Sequence, residues 1–181
     1  LKHPNPHVPD MKMCIDAIDL SEKLGLKDEY VFFNYDWVPY EERENYLLEA
    51  DLGISTHLDH VETSFSFRTR LLDYIWAGLP IVTTKGDSMS DLVEKENLGR
   101  TVEPKNAEDL VAAILELLEN KDTYNQIRQN IERIAPAFTW EEAVKPLNEF
   151  CRNPVMAPDK AKGQASLRYG EVSEDRVKRS L

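Results

Sequence analysis

The chain has 181 residues, of which 41% are hydrophobic and 30% charged, a balance typical of a globular domain with a real core. Its formal net charge of −11 argues against a nucleic-acid partner, since phosphate backbones are bound by clustered Lys and Arg. No apolar run approaches the roughly 20 residues that a membrane helix needs. Two cysteines are too few for a disulfide framework, so we predict a cytoplasmic protein with reduced thiols.

The first third of the chain predicts helices alternating with short strands. Residues 1–9 hold three prolines and predict extended structure. Apolar positions at helical spacing, and short runs rich in β-branched and aromatic residues, place the elements that follow. In chain order these are a helix over 10–24 with Asp10 as its N-cap and Gly25 as its stop, a strand over 30–33, a helix from Pro39, and a strand over 51–56.

The remainder continues the alternation after a polar, acid-rich loop over 57–66. The next helix, over 66–77, is predicted to turn Leu71, Leu72, Ile75 and Trp76 to the core and to end at Gly78. The later elements are a strand over 80–84, a helix capped by Asp87 or Ser88 that runs to Lys95, a strand over 99–103, and helices over 106–118, 123–134 and 140–151.

This alternation predicts a Rossmann-like α/β fold, a mostly parallel sheet of about four short strands covered by helices. We assign residues 1–152 to this domain and residues 153–181, which are polar, to a flexible or partly ordered tail. In open α/β sheets, ligands bind outside the carboxyl ends of the strands and beside helix N-termini. The loop over 57–66 is therefore the expected place for a site.

Four residues of this loop are types that bind metals, namely His57, Asp59, His60 and Glu62. Their spacing matches no standard zinc pattern and no partner cluster lies elsewhere in the sequence, so we predict a polar rim rather than a metal site. His57, directly after a strand, is the best placed to touch a ligand. The aromatic residues Phe65, Phe67 and Trp76 are predicted to lie in the core.

The order DLGIST, acid-rich loop, RLLDYIWAGLP, IVTT, LGRTVEP and NAEDLVAAILELL resembles glycosyltransferase family 4. The resemblance is to the C-terminal donor-binding domain of these GT-B enzymes and covers about residues 9–151. It implies transfer of a sugar from a nucleotide-diphosphate-sugar donor, with retained configuration, to a glycan or lipid-linked acceptor, as in polysaccharide biosynthesis. It also implies that no metal or other cofactor is needed.

The family's signature is a pair of acids eight positions apart. Counting back from Gly78 places the second acid on Asp73, which in the family accepts hydrogen bonds from the ribose hydroxyls. The first acid position falls on Phe65, which cannot perform acid chemistry. The resemblance therefore makes Glu62, three residues earlier, the catalytic candidate that contacts the donor sugar.

Between these acids, the family's backbone amides face the donor diphosphate. The matching positions here are Phe67, Arg68 and Thr69, at the start of the predicted helix. The free N–H groups and positive dipole end of a helix N-terminus favour an anion. Arg68 or Arg70 is expected to add a charge-assisted contact, and His57 is expected to touch the donor or the acceptor.

The family's donor-binding domain begins with a strand, a Gly-rich loop, a helix and a second strand before the region seen here, and the first residue here is Leu1 rather than Met. We therefore expect a truncated piece of a longer enzyme, inactive alone, whose partners include an N-terminal acceptor-binding domain. Peripheral membrane association would belong to the full enzyme.

Two other readings stay open. Another nucleotide-sugar enzyme, such as an epimerase or dehydrogenase, would need a GxGxxG motif after a strand, and the seven glycines here form none. A non-catalytic interaction domain that uses the fold as a scaffold would have no nucleotide affinity. Nucleotide binding separates that second reading from a glycosyltransferase.

Overall fold

The structure is a computed structural model that describes residue 7 and residues 9–157. The chain divides into two compact units, one ending at Ala135 and the other beginning at Pro136. Most of the predicted tail over 153–181 lies outside the described residues, so the domain boundary at residue 152 stays a prediction. No helix in the described part of the chain is long and apolar enough to cross a membrane.

Short connections join most of the described elements, but residues 24–39 separate the first helix from the next element. The first unit contains α1 (Lys12–Lys23), a 3-10 turn (Tyr40–Glu42), α2 (Arg43–Leu48), β1 (Gly53–Ser55), α3 (Val61–Phe65), α4 (Thr69–Ala77), β2 (Ile81–Thr84), α5 (Ser88–Lys95), β3 (Gly99–Val102), α6 (Ala107–Glu119) and α7 (Lys121–Ile134). A second 3-10 turn, Ala135–Phe138, leads to the second unit, which contains α8 (Trp140–Ala143) and α9 (Lys145–Arg152).

The predicted α/β fold is confirmed, with a parallel sheet in the order β1-β2-β3. Gly53 pairs with Ile81, and Ile81 pairs with Gly99, so the three strands lie in register. All four residues of β2 are buried, as expected for the central strand of a sheet covered by helices. The carboxyl ends of the three strands therefore lie along one edge.

Helices pack on the sheet through one apolar core. Tyr74 of α4 donates a hydrogen bond from its hydroxyl to the Ile54 carbonyl at 3.0 Å, which ties α4 to β1. Burial of this ring raises the pKa of Tyr74. The fully or almost fully buried apolar residues come from the strands, from α4 to α7 and from the connection before β3, and they include Leu71, Ile75, Ile81, Val82, Val93, Leu98, Leu117, Ile127 and Ile131.

The strand predicted over 30–33 is wrong, so the described residues contain three strands rather than about four. This segment forms a single parallel bridge, between Lys27 and Val31, and both Tyr30 and Phe32 are exposed. No strand of the described part of the chain lies beside it, and a strand needs a neighbour to satisfy its N–H and C=O groups. Its β propensity alone is insufficient because that propensity depends on context.

The predicted loop over 57–66 contains a short helix, α3. The imidazole Nδ1 of His60 accepts a hydrogen bond from the Glu62 amide at 3.1 Å and so begins it. The chain is extended again at Ser66, and the next helix starts at Thr69 rather than at residue 66. At the other end of the unit, Asp10 is not the N-cap of α1, because Met11 holds that position.

The prediction that three aromatic residues lie in the core is also wrong. Phe65 is 86% exposed, Phe67 57% and Trp76 60%. Trp76 lies about 140° around α4 from the buried Leu71, outside the stripe that faces the sheet. Phe65 ends the short α3 and Phe67 lies in the connection to α4, so neither belongs to an element face that packs on the core.

Candidate functional site

The ends of β1 and β2 meet at the edge where the sequence predicts a site. The backbone amide of His57, two residues after β1, donates to the Thr84 hydroxyl at the end of β2 over 2.7 Å. Asp87 follows β2 by three residues and begins α5. Polar groups from two neighbouring strands therefore gather at the carboxyl edge of the sheet.

Asp87 joins two of the predicted site residues. Its Oδ2 accepts a hydrogen bond from Nε of Arg68 at 2.9 Å and lies 3.2 Å from Nε2 of His57. The same guanidinium donates from Nη2 to the Thr63 hydroxyl at 3.4 Å. The structure thus brings His57 and Arg68 together around a carboxylate that the sequence analysis treated only as a helix cap.

The His57 side chain is 7% exposed, and neither of its ring nitrogens makes a hydrogen bond within the described residues. Nε2 lies 3.2 Å from Oδ2 of Asp87, but the contact lacks hydrogen-bonding geometry. His57 is therefore held by its backbone bond to Thr84 and by this contact.

The N-terminus of α4 differs from those of the next three helices. Side-chain oxygens of Asp87, Asn106 and Asn120 cap α5, α6 and α7. No side chain caps α4, whose N-cap is Arg68 and whose first residue is Thr69. Uncapped amides at a helix N-terminus are donors that an anion can use. The predicted diphosphate position therefore coincides with an uncapped helix end beside Arg68.

Glu62 lies in the first turn of α3 and is exposed. Its backbone is fixed, because its amide donates to His60 and its carbonyl accepts from the Ser66 hydroxyl at 2.7 Å. Within the described residues its carboxylate has no hydrogen-bond or ion-pair partner. The side chain predicted to contact the donor sugar is thus a carboxylate free to accept hydrogen bonds.

Asp73 lies on α4, four residues after Thr69, so the two residues share one face of the helix. The Asp73 Oδ1 atom is 3.3 Å from Nη2 of Arg43, whose guanidinium carbon stands 4.5 Å from the centre of the Tyr40 ring. Arg70 is exposed and has no ion-pair partner in the described part of the chain. The helix therefore carries the predicted ribose acid and the predicted diphosphate amides together.

A cavity of about 310 Å³ adjoins this cluster at the ends of the three strands. It is lined in part by His57, Thr84, Glu103, Lys105 and Asn106. Glu103 pairs with Lys85 at 3.0 Å, and this hydrogen bond raises the pKa of Lys85. The sequence did not predict this cavity, because part of its wall is a turn with left-handed backbone at Lys105, which a lysine does not signal.

Among residues 7 and 9–157, no group of three or more His, Cys, Asp or Glu side chains is arranged to hold a metal ion. The four loop residues of metal-binding type do not form such a group. His57 is buried against Asp87, whereas Asp59, His60 and Glu62 are exposed. What the edge offers a ligand is instead helix amides, guanidinium groups and single carboxylates.

A parallel α/β sheet covered by helices, with helix N-termini at its carboxyl edge, is consistent with a Rossmann-like domain. The sequence model for glycosyl transferases group 1 matches residues 16–134. The chain therefore belongs to the group 1 glycosyl transferases, and its sheet and helices are consistent with part of a GT-B domain.

Two similar plant proteins both carry the name sucrose-phosphate synthase. The probable sucrose-phosphate synthase 4 of Oryza sativa subsp. japonica is 30% identical over 176 residues, which cover 94% of this chain and 16% of that protein. Sucrose-phosphate synthase 4 of Arabidopsis thaliana is 31% identical over 90 residues, 48% of this chain and 9% of that protein. The chain thus spans less than a fifth of the length of these relatives.

Proposed function

We propose that this chain supplies a nucleotide-sugar-binding face of a family 4 glycosyltransferase that transfers a sugar with retained configuration. The observation that carries the proposal is the uncapped N-terminus of α4, with Arg68 beside it, at the carboxyl edge of the sheet. Membership of the group 1 glycosyl transferases supports the same chemistry.

In this proposal the donor diphosphate lies against the amides of Phe67, Arg68 and Thr69. An anion at a helix N-terminus gains about 0.3–1 kcal/mol from the helix dipole alone. Arg70, exposed and unpaired within the described residues, adds a charge-assisted contact, as does the free edge of the Arg68 guanidinium. These groups also stabilise the negative charge that grows on the leaving nucleotide.

The nucleotide ribose would lie further along α4, at Asp73. Its Oδ1 faces Arg43, which keeps the side chain oriented and leaves Oδ2 to accept hydrogen bonds from ribose hydroxyls. A helix rises about 1.5 Å per residue, so Thr69 and Asp73 are about 6 Å apart along the axis. That separation suits neighbouring parts of one nucleotide.

The donor sugar would lie toward Glu62, whose carboxylate is free to accept hydrogen bonds from sugar hydroxyls. Glu62 is the catalytic candidate because the family resemblance places the first acid of its signature in this part of the loop. The His57 side chain would line the pocket near the donor or the acceptor. In this scheme the helix amides and arginines, rather than a metal or other cofactor, offset the charge of the diphosphate.

The acceptor has two candidate classes. The family resemblance favours a glycan or lipid-linked acceptor, used on the cytoplasmic side with peripheral membrane association of the whole enzyme. The names of the similar plant proteins describe a phosphorylated sugar as the product, and so favour a phosphorylated sugar as the acceptor. An assay of the two acceptor classes with one donor would decide between them.

Calorimetric titration of the full chain with nucleoside diphosphate-glucose compounds that differ in base tests the proposal. We expect a nucleoside diphosphate-glucose to bind and the matching nucleoside monophosphate to bind more weakly, because the second phosphate is missing. Arg70→Gln should weaken binding about fivefold, since an exposed charged contact contributes about 1 kcal/mol.

Lys121→Gln is the matched control. It also removes an exposed positive charge from the first turn of a helix, but α7 is capped by Asn120. Its affinity for the donor should equal that of the wild type. Equal losses in the two variants would show a nonspecific charge effect and count against a diphosphate at α4.

A further inference from the structure

Asp87 is a buried carboxylate with two separate sets of contacts. It is the N-cap of α5, where Oδ1 accepts hydrogen bonds from the amides of Met89 at 2.9 Å and Ser90 at 2.8 Å. The Ser90 hydroxyl lies 3.1 Å from the Asp87 amide and completes a capping box. Capping the helix therefore uses only one of the two carboxylate oxygens.

The second oxygen, Oδ2, contacts side chains from two other elements. Arg68, which precedes α4, donates to it from Nε at 2.9 Å, and His57, which follows β1, places Nε2 at 3.2 Å. The Asp87 side chain has no exposed surface at all. A helix cap does not require these contacts, so they need another explanation.

The surrounding contacts restrain the same two side chains. Nη2 of Arg68 reaches the Thr63 hydroxyl, and the His57 amide is bonded to the Thr84 hydroxyl. A long arginine side chain loses rotamer freedom when a ligand fixes it, which weakens binding. An arginine already fixed by the fold avoids most of that loss.

We infer that Asp87 is a positioning residue, whose Oδ2 holds the Arg68 guanidinium and the His57 imidazole in place for an anionic ligand at the N-terminus of α4. The inference rests on the proposed function, in which that ligand is the diphosphate of a nucleotide-sugar. Asp87 itself does not touch the ligand. Its carboxylate is buried and would repel a diphosphate.

The variant Asp87→Asn separates capping from positioning. Asn is as good an N-cap as Asp, so the bonds from Met89 and Ser90 are kept, while the charge that holds Arg68 is lost. Asp87→Ser, which also caps a helix but cannot reach Arg68, is the second variant. Asp91→Asn, an exposed acid in the first turn of α5, makes the same charge change without these contacts.

Two readouts are needed in the full chain, the affinity for a nucleoside diphosphate-glucose and the NMR signals of the Arg68 Nε–H and the His57 ring. In Asp87→Asn we expect an affinity about tenfold lower, the difference that one charge-assisted contact makes. The Arg68 Nε–H should lose its hydrogen-bonded shift and exchange faster with solvent. The unfolding midpoint should fall, because the Asn side-chain N–H group then faces the Arg68 Nε–H, so affinity is compared at a temperature where every variant is folded. Asp91→Asn should match the wild type throughout.

Unchanged affinity and an unchanged Arg68 signal in Asp87→Asn would overturn the inference, as would an affinity loss no larger than the loss of folded protein. If that variant does not fold, Asp87→Ser is judged by the same readouts. Inorganic pyrophosphate separates the two proposals. Binding of pyrophosphate but of no nucleotide-sugar contradicts the proposed function and leaves the inference standing, whereas a wild-type chain that binds neither overturns both.

Discussion

At the scale of single residues, ion pairs between arginine and carboxylate groups connect separate parts of this fold. Arg43 pairs with Asp73, Arg68 with Asp87, and Arg100 with Glu116. The last pair is bidentate, with Nε to Oε2 at 3.0 Å and Nη2 to Oε1 at 2.6 Å, and it ties β3 to α6. Such planar pairing makes the position of a carboxylate specific as well as favourable.

The Arg100–Glu116 pair makes stability depend on pH. The hydrogen bond from Arg100 lowers the pKa of Glu116 below its unfolded value of about 4.3. Its contribution is therefore fully present above the unfolded pKa and is lost as the pH falls through the folded pKa. Because both side chains are partly exposed, Glu116→Gln should cost about 0.5–1 kcal/mol at neutral pH.

Urea unfolding of the wild type and Glu116→Gln between pH 3 and pH 7 measures this contribution. The difference in free energy of unfolding should shrink as the solution becomes acidic. Glu132→Gln, an exposed acid on α7 with no ion pair in the described chain, should show no such pH-dependent difference. A difference that stays constant with pH would contradict the assignment.

At the scale of the elements, the sheet depends on two close approaches, that of β1 to helix α4 and that of β3 to strand β2. A Cβ added at Gly53 would lie 2.5 Å from the Tyr74 ring, and one added at Gly99 would overlap the backbone carbonyl of Ile81. Glycine is thus required at a pairing position of β1 and of β3. The first clash involves a side chain, but the second involves backbone of the central strand.

Gly99→Ala should therefore destabilise the protein by about 3 kcal/mol or more, at or beyond the usual upper range for overpacking. Thr101→Ala, in the same strand, loses a partly buried side chain and its 3.3 Å hydrogen bond to the Glu94 carboxylate, and should cost about 1 kcal/mol. Chemical denaturation of both variants gives the comparison. Similar losses in the two variants would show that the close packing at Gly99 is not a constraint.

Sequence patterns predicted the elements whose signals are local. The three strands of the sheet and the helices from α4 to α7 follow from apolar periodicity, caps and the glycine at position 78. The strand over 30–33 failed because a strand depends on neighbours that its own residues do not encode. Helix α3 was missed because five residues show little periodicity and its cap is an imidazole, an unusual choice.

The sheet edge that carries the candidate site could be predicted from the sequence, but the pairing of its side chains could not. Strand ends and a helix start locate the edge, because both follow from the order of elements. The bond between Arg68 and Asp87 joins residues 19 positions apart, and its partner choice depends on the geometry of α4 and α5. A polar residue three positions after a buried strand was the available signal, and it had a sufficient explanation as a cap.

For the molecule as a whole, the central question is whether an acidic chain binds a dianionic group at all. The net charge of −11 repels a nucleotide at long range, but charges are screened beyond about 8 Å at physiological salt. In the proposed function, binding therefore comes from local donors at the N-terminus of α4. A non-catalytic interaction domain with the same fold would lack this affinity.

The most direct measurement is the set of backbone amide NMR shifts of the full chain as a nucleoside diphosphate-glucose is added. We expect the amides of Thr69 and Arg70 to shift in a saturable way, together with the Arg68 side-chain signal. The amides that follow the capped N-termini of α6 and α7 should stay in place. Saturable shifts elsewhere with none at Thr69 and Arg70 would contradict the proposed diphosphate site. The absence of any shift, whichever nucleotide base the nucleoside diphosphate-glucose carries, would also contradict it.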